Sequence, residues 1–154
     1  MDIRIGDLRN EQVISLLTKH HEDMLSHSPV ESVHALDLSA LESSKVTFWS
    51  LWMDQELAGC GALKELDSKH GEIKSMRTSG NHLRKGVARQ LLVHIINQAT
   101  SRGYERLSLE TGSMASFVPA HQLYQQFGFQ PCQPFSDYQE DPYSLFMSKA
   151  IELT

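Results

Sequence analysis

Cysteine is nearly absent: Cys60 and Cys132 are the only two in the chain. Two thiols cannot build a disulfide framework or a zinc-ligand spacing, and a reduced, cytoplasmic protein is the simpler expectation. Long apolar runs are missing too. Nothing approaches ~18 consecutive apolar residues, so no membrane-spanning helix is expected. The opening MDIRIGDLRN has no apolar stretch behind its first charges and does not read as a signal peptide. Basic residues are outnumbered, fourteen to nineteen, for a formal net charge of −5. That balance argues against nucleic acid as a partner, since phosphates demand clustered Lys and Arg, and it is compatible with a cationic small substrate. Internal repeats, low-complexity tracts and Gly/Ser/Pro-rich linkers are also lacking. The 154 residues are therefore expected to form a single domain, 1–154, long enough to bury a core without staples.

What is present is a regular alternation of elements. MDIRI reads as a first strand. NEQVISLLTKHHEDML carries Val13, Leu16, Leu17, His20 and Met24 at helical spacing behind a cap at Asn10. A loop and short helix broken by Pro29 follow, then three strand-like runs, VTFWSLWM, LAGCGALKEL and GEIKSMRT. Ala88, Leu91, Leu92, Ile95 and Ala99 make one face of a helix ended by Gly103. ERLSLET is a strand, ASFVPAHQLYQQFG a helix with Pro119 in its first turn, and FQPCQPF and YSLFMSKAI are two last strands around the polar loop SDYQEDP. The order predicts an α/β fold: one mixed sheet of about six to seven strands flanked by about four helices.

The chemistry concentrates in NHLRKGVARQLLVHI, residues 81–95. The segment follows a strand and opens a helix, where backbone N–H groups lack intrahelical partners and the helix dipole adds positive charge. Gly86 clears a side chain from the place where backbone would approach an anion, and Arg84 and Lys85 add full charge. This suits a pyrophosphate. A capped turn with two solvated basic residues is the plain alternative. The stretch is neither a P-loop, which needs Gly-Lys-Ser/Thr, nor GxGxxG.

About forty residues on stands AHQLYQQFGF, residues 120–129. A strand, then a glycine motif opening a helix, then a strand and a helix reading A..LY..FGF, together resemble the GNAT superfamily of acetyl-CoA-dependent N-acetyltransferases along essentially the whole chain. The segments GEIKSMRT, LRKGVA, LSLETGS and LYQQFGF resemble a bacterial branch of it. The first position of the family's glycine motif is Arg or Gln, whereas it is Leu83 here; its last is met by Ala88. The resemblance implies a single GNAT-type domain with acetyl-CoA as co-substrate, an amine as acceptor and no metal. It also implies direct attack with no acyl-enzyme; Cys60 and Cys132 lack a nearby His-Asp/Asn signature and read as packing residues. Homodimers are frequent in that superfamily.

The same resemblance assigns roles. Met76 and Thr78 would bind the pantetheine arm through their backbone, and the N–H groups of Arg84, Lys85, Gly86, Val87, Ala88 and Arg89 would hold the pyrophosphate. Tyr124 matches the tyrosine that protonates the departing thiolate; otherwise it is a packed aromatic. For the base that takes the amine's proton, Glu72 stands fourteen residues before Gly86, the spacing found in histone-acetylating members. Its alternative is a strand-edge carboxylate paired with Lys74 or Lys64. Glu110, at the end of LSLET, is the rival, and ordered water a third option. His20, His21, His27 and His34 cluster in sequence without a recognised ligand spacing. PFSDYQEDPYS is either an amine pocket or a polar hairpin, and Glu31 and His34 are weaker acceptor candidates. A non-catalytic acyl-CoA-binding or regulatory module is the alternative function.

Overall fold

Strand β4 (His70–Thr78) and strand β5 (Arg106–Gly112) run parallel, and only for four residue pairs, from His70 beside Arg106 to Ile73 beside Leu109. Parallel neighbours need a crossover, which is helix α3 (Val87–Ser101). Every other pairing in the sheet is antiparallel. The remaining strands are β1 (Asp2–Ile5), β2 (Val46–Met53), β3 (Glu56–Asp67), β6 (Gln130–Pro131) and β7 (Ser144–Ala150), giving the order β1-β2-β3-β4-β5-β7-β6. Helices α1 (Glu11–His27), α2 (Leu38–Leu41) and α4 (Val118–Gln126) complete the elements of this computed structural model, which describes residues 1–27 and 38–151. Glu31, His34 and the turn at Pro29 lie outside the described residues.

Each face of the sheet has its own core. On one side α3 buries Val87, Leu91, Leu92, Ile95 and Ala99 against Leu63, Ile73, Leu107 and Leu109. Each such aliphatic side chain contributes roughly 1.5–3 kcal/mol on burial. Close approach of α3 depends on Gly59 and Gly61 in β3. A Cβ at Gly59 would stand 2.7 Å from Val87 Cγ1, and one at Gly61 would stand 2.6 Å from Met76 Sδ. On the other side Val13 of α1 packs with Leu41, Phe48, Trp52, Leu57, Cys60 and Ala62. Helix α1 begins where expected, the Asn10 side-chain oxygen accepting from Gln12 N–H at 2.8 Å.

Three expectations change. FQPCQPF forms only the two-residue β6, because Pro131 and Pro134 have no N–H to give a ladder. The last helix starts at Val118, after a 3-10 turn at Ala115–Phe117. Cys60 is buried as a packing residue, but Cys132 is exposed, since it follows the short β6 into a loop.

Candidate active site

The β4–β5 ladder ends at Ile73 and Leu109, and beyond it β5 pairs only with β7, as far as Gly112 beside Ser144. The sheet therefore opens between the C-terminal halves of two parallel strands, the place where α/β sheets hold ligands. A groove of about 740 Å³ runs from this opening between α1, α3 and α4.

One wall is the turn into α3. Gly86 is the helix N-cap at φ 80°, ψ 15°, and an added Cβ there would meet nothing within 4 Å. The left-handed conformation suits glycine, and the bare backbone faces open space at a helix N-terminus. Arg84 also has positive φ, 63°, so the turn is tightly wound. Of the residues expected to hold the cofactor, Met76, Thr78, Arg84, Gly86, Val87, Ala88 and Arg89 all line the groove. Lys85 is exposed and is not among its described lining residues. Leu83, in the position where the motif has Arg or Gln, lines the groove with 59% of its surface exposed. Arg89 reaches across to α4, donating to Gln126 Oε1 with its guanidinium 5.1 Å from the Phe127 ring, and so ties the two walls together.

Tyr124 stands on the facing wall. It is buried, in edge contact with Phe129 at 5.7 Å between ring centroids, and it lines the groove. Burial pushes its phenol up to about 12. It is a core aromatic that also counts among the lining residues of the groove.

The two candidate bases lie elsewhere on the sheet. β4 carries an extra residue between Lys74, opposite Ala62, and Arg77, opposite Cys60. Ser75 absorbs it at φ 56°, a bulge. Because of that bulge, even-numbered residues change sides. Met76 lies under α3, against Gly61, whereas Glu72 and Lys74 share the face of Ala62, toward α1. Glu72 is buried, not a solvated edge residue. Its Oε2 accepts from Lys74 Nζ at 3.0 Å and from the Tyr138 hydroxyl at 2.6 Å. Glu110 accepts from Ser144 Oγ at 2.8 Å. Burial, then the charge and hydrogen bond of Glu72, and last the charge of Glu110 raise the Tyr138 phenol far above its ordinary value. The loop expected to be an amine pocket or a polar hairpin thus roofs both carboxylates, with Tyr138 and Phe135 resting on Phe146. Neither Glu72 nor Glu110 is among the described lining residues of the groove.

At the α1 end of the groove the sequence pointed to the first-helix region HHEDMLSHSPVESVH as an acceptor pocket but singled out neither Asp23 nor Arg77. There His20 and Asp23 face Arg77 of β4, whose guanidinium donates to Asp23 Oδ2. A three-residue spacing on α1 puts His20 and Asp23 on one face, a signal that was available. Their partner, 54 residues away from Asp23, was not. Among the described residues no group of three or more His, Cys, Asp or Glu is placed to hold a metal ion, and no helix is long and apolar enough to cross a membrane.

The split parallel pair, the glycine-capped helix and the groove between them define a class: α/β proteins whose sheet opens beside a helix start suited to an anion. The profile of the Acetyltransferase (GNAT) family matches residues 10–129, and the chain belongs to that family. It is 64% identical over 151 residues to the uncharacterised N-acetyltransferase YsnE of Bacillus subtilis, covering 98% of this chain and all of that one. The fold is shared with a GNAT-family acetyltransferase structure from Staphylococcus aureus Mu50, with a TM-score of 0.74 at 18% identity over 98% of this chain and 100% of the other. It is shared also with a GNAT-family acetyltransferase from Elizabethkingia anophelis with acetyl-CoA bound, with a TM-score of 0.69 at 19% identity over 97% of both chains. The protein is an acyltransferase of the N-acetyltransferase type.

Proposed function

We propose that this N-acetyltransferase uses acetyl-CoA to acetylate a primary amine by direct attack, without an acyl-enzyme. The observation that carries this reading is the meeting, in one groove, of an anion-receptive helix start at Gly86 and a buried phenol at Tyr124. The groove fits acetyl-CoA, which the Elizabethkingia relative holds: bare N–H groups open the helix, and Arg84 and Arg89 add positive charge beside them. When bound, acetyl-CoA supplies a thioester carbonyl as electrophile.

The residues then divide the work. N–H groups from Arg84 through Arg89 hold the pyrophosphate. The end of the β4–β5 ladder frees backbone groups on that edge of β4, and those around Met76 and Thr78 receive the pantetheine arm. Backbone N–H groups at the bulge polarise the thioester carbonyl. The amine nitrogen forms its bond to the acetyl carbon as the carbon–sulfur bond breaks. Its excess proton leaves to a carboxylate, Glu72 or Glu110, or to water, and Tyr124 gives a proton to the departing sulfur. Cys60 does not compete as nucleophile, because burial pushes its thiol up to about 12, and neither Cys60 nor the exposed Cys132 is among the described lining residues of the groove.

Release of free thiol from acetyl-CoA across a panel of amines tests the reading, with acetylated product identified by mass. Amine-dependent release is expected. Tight acetyl-CoA binding with no amine-dependent release would instead define a non-catalytic acyl-CoA-binding module.

A further inference from the structure

We infer that the α1 end of the groove recognises a small zwitterionic acceptor, an α-amino acid with an uncharged side chain, through Arg77 and Asp23. The inference rests on the acetyltransferase reading and names the acceptor class for that same site.

The charges facing the groove carry the argument. Among its described lining residues Arg77, Arg84 and Arg89 are basic, and Asp23 is the one carboxylate. Arg84 and Arg89 flank the start of α3 and belong with the cofactor phosphates. What is left for the acceptor among the described lining residues is the Arg77–Asp23 ion pair, whose side chains keep 24% and 36% of their surface, with Lys19 Nζ 3.8 Å from Asp23 Oδ1. With Arg84 and Arg89 given to the phosphates, a polycation such as a polyamine or an aminoglycoside would meet, among the described lining residues, one carboxylate that Arg77 already holds, which is poor complementarity. A simple monoamine drawn to Asp23 would strip Arg77 of its counter-charge. A zwitterion replaces both partners at once, its ammonium on Asp23 and its carboxylate on Arg77.

A second, independent observation sits in the same corner. Arg77 Nε and His20 Nδ1 are buried and have no hydrogen-bond partner among the described residues. Guanidinium binds carboxylate through two parallel N–H groups, and Arg77 spends one nitrogen, Nη2, on Asp23 while Nε stays open. An acceptor carboxylate supplies the missing acceptor. His20 adds no charge, because burial, and then Arg77, lower its pKa to about 4. Met24, one residue on from Asp23 in α1, adds apolar lining that fits an uncharged side chain.

The test uses the full chain, acetyl-CoA and matched acceptor pairs: phenylalanine against 2-phenylethylamine, leucine against 3-methylbutylamine, with spermidine alongside. Each amino acid should exceed its decarboxylated partner by at least about 10-fold in kcat/KM, the kind of discrimination a site gains from pairing a charged group. Arg77→Gln should bring that ratio near one by raising the amino acid KM, with the acetyl-CoA KM unchanged, and Arg77→Lys should keep part of the preference. If Arg77→Gln fails to fold, the wild-type ratio decides alone. Equal or better turnover of the decarboxylated amines or of spermidine overturns the inference and leaves the acetyltransferase reading standing. An unchanged ratio in folded Arg77→Gln also overturns it. Absence of thiol release with every amine removes both.

Discussion

The Tyr138 hydroxyl donates to Glu72 Oε2 at 2.6 Å, joining the loop before β7 to a strand residue 66 positions earlier. Lys74 Nζ closes the triangle, 3.0 Å from the same oxygen and 2.6 Å from the phenol. The side chains of Glu72 and Lys74 keep only 3% and 8% of their exposure, so the ion pair is buried. Buried pairs add little net stability, but breaking one strands a charge.

Glu72→Gln is therefore expected to cost about 3–5 kcal/mol by leaving Lys74 buried without its counter-charge. Glu72→Gln combined with Lys74→Met should recover most of that loss, a coupling that urea midpoints will reveal. The rescued double variant is also the clean background for the catalytic question. If Glu72 takes the amine's proton, kcat should fall most near neutrality and recover partly at high pH, where free amine is abundant. An unaltered pH–rate profile would leave the task to Glu110 or water.

His20 makes stability acid-sensitive. Its folded pKa, lowered by burial to about 4, lies below the unfolded value of 6.5. The unfolded chain binds the extra proton between these values, so stability is complete above about pH 6.5 and declines as pH falls toward 4. The full loss from this one group is about 3 kcal/mol, at 1.36 kcal/mol per pH unit of difference. His20→Phe should flatten that part of the profile in thermal melts from pH 7 to pH 4. An equal slope in both proteins would count against His20 as the cause.

The strands and helices were legible because their patterns are local. Alternation in VTFWSLWM and the period of Leu91, Leu92, Ile95 and Ala99 state a face without help from the rest of the chain. The helix start at Gly86 was legible for the same reason. The bulge at Ser75 was not, since nothing in a serine announces positive φ, yet it alone puts Met76 and Glu72 on opposite faces. Tyr138 on Glu72 and Asp23 on Arg77 were equally hidden. Such pairings depend on how distant segments cross, which periodicity does not encode.

Gly86 tests the anion cradle. Gly86→Glu would put a charged side chain into the open space in front of the helix and strain a left-handed backbone by about 1–2 kcal/mol. Acetyl-CoA affinity should fall at least ~10-fold, or ~1.4 kcal/mol, in a protein that still folds. Gly86→Asn separates the two effects, since asparagine tolerates positive φ and carries no charge; its loss should be the smaller. Equal calorimetric affinity for wild type and a folded Gly86→Glu protein would refute the cradle.

Tyr124 poses a problem of proton affinity. Its phenol, at about 12, is a weaker acid than a solvated thiol of pKa about 8.5, so protonating a solvated thiolate from it would run uphill. A sulfur leaving between the walls of the groove loses part of its solvation, which raises its proton affinity. Cys60 shows what burial does to a thiol in this protein, lifting it to about 12 as well. Desolvation therefore narrows the gap between donor and acceptor, and the phenol can pass its proton as the sulfur departs. Tyr124→Phe keeps the ring against Phe129 and removes only the hydroxyl, so acetyl-CoA affinity should hold while kcat drops ~10²-fold. Because the phenol stays protonated up to about 12, the wild-type kcat should show no decline from this group between pH 8 and pH 10. Equal turnover by the variant, measured with an accepted amine, would return Tyr124 to the core as a packing residue alone.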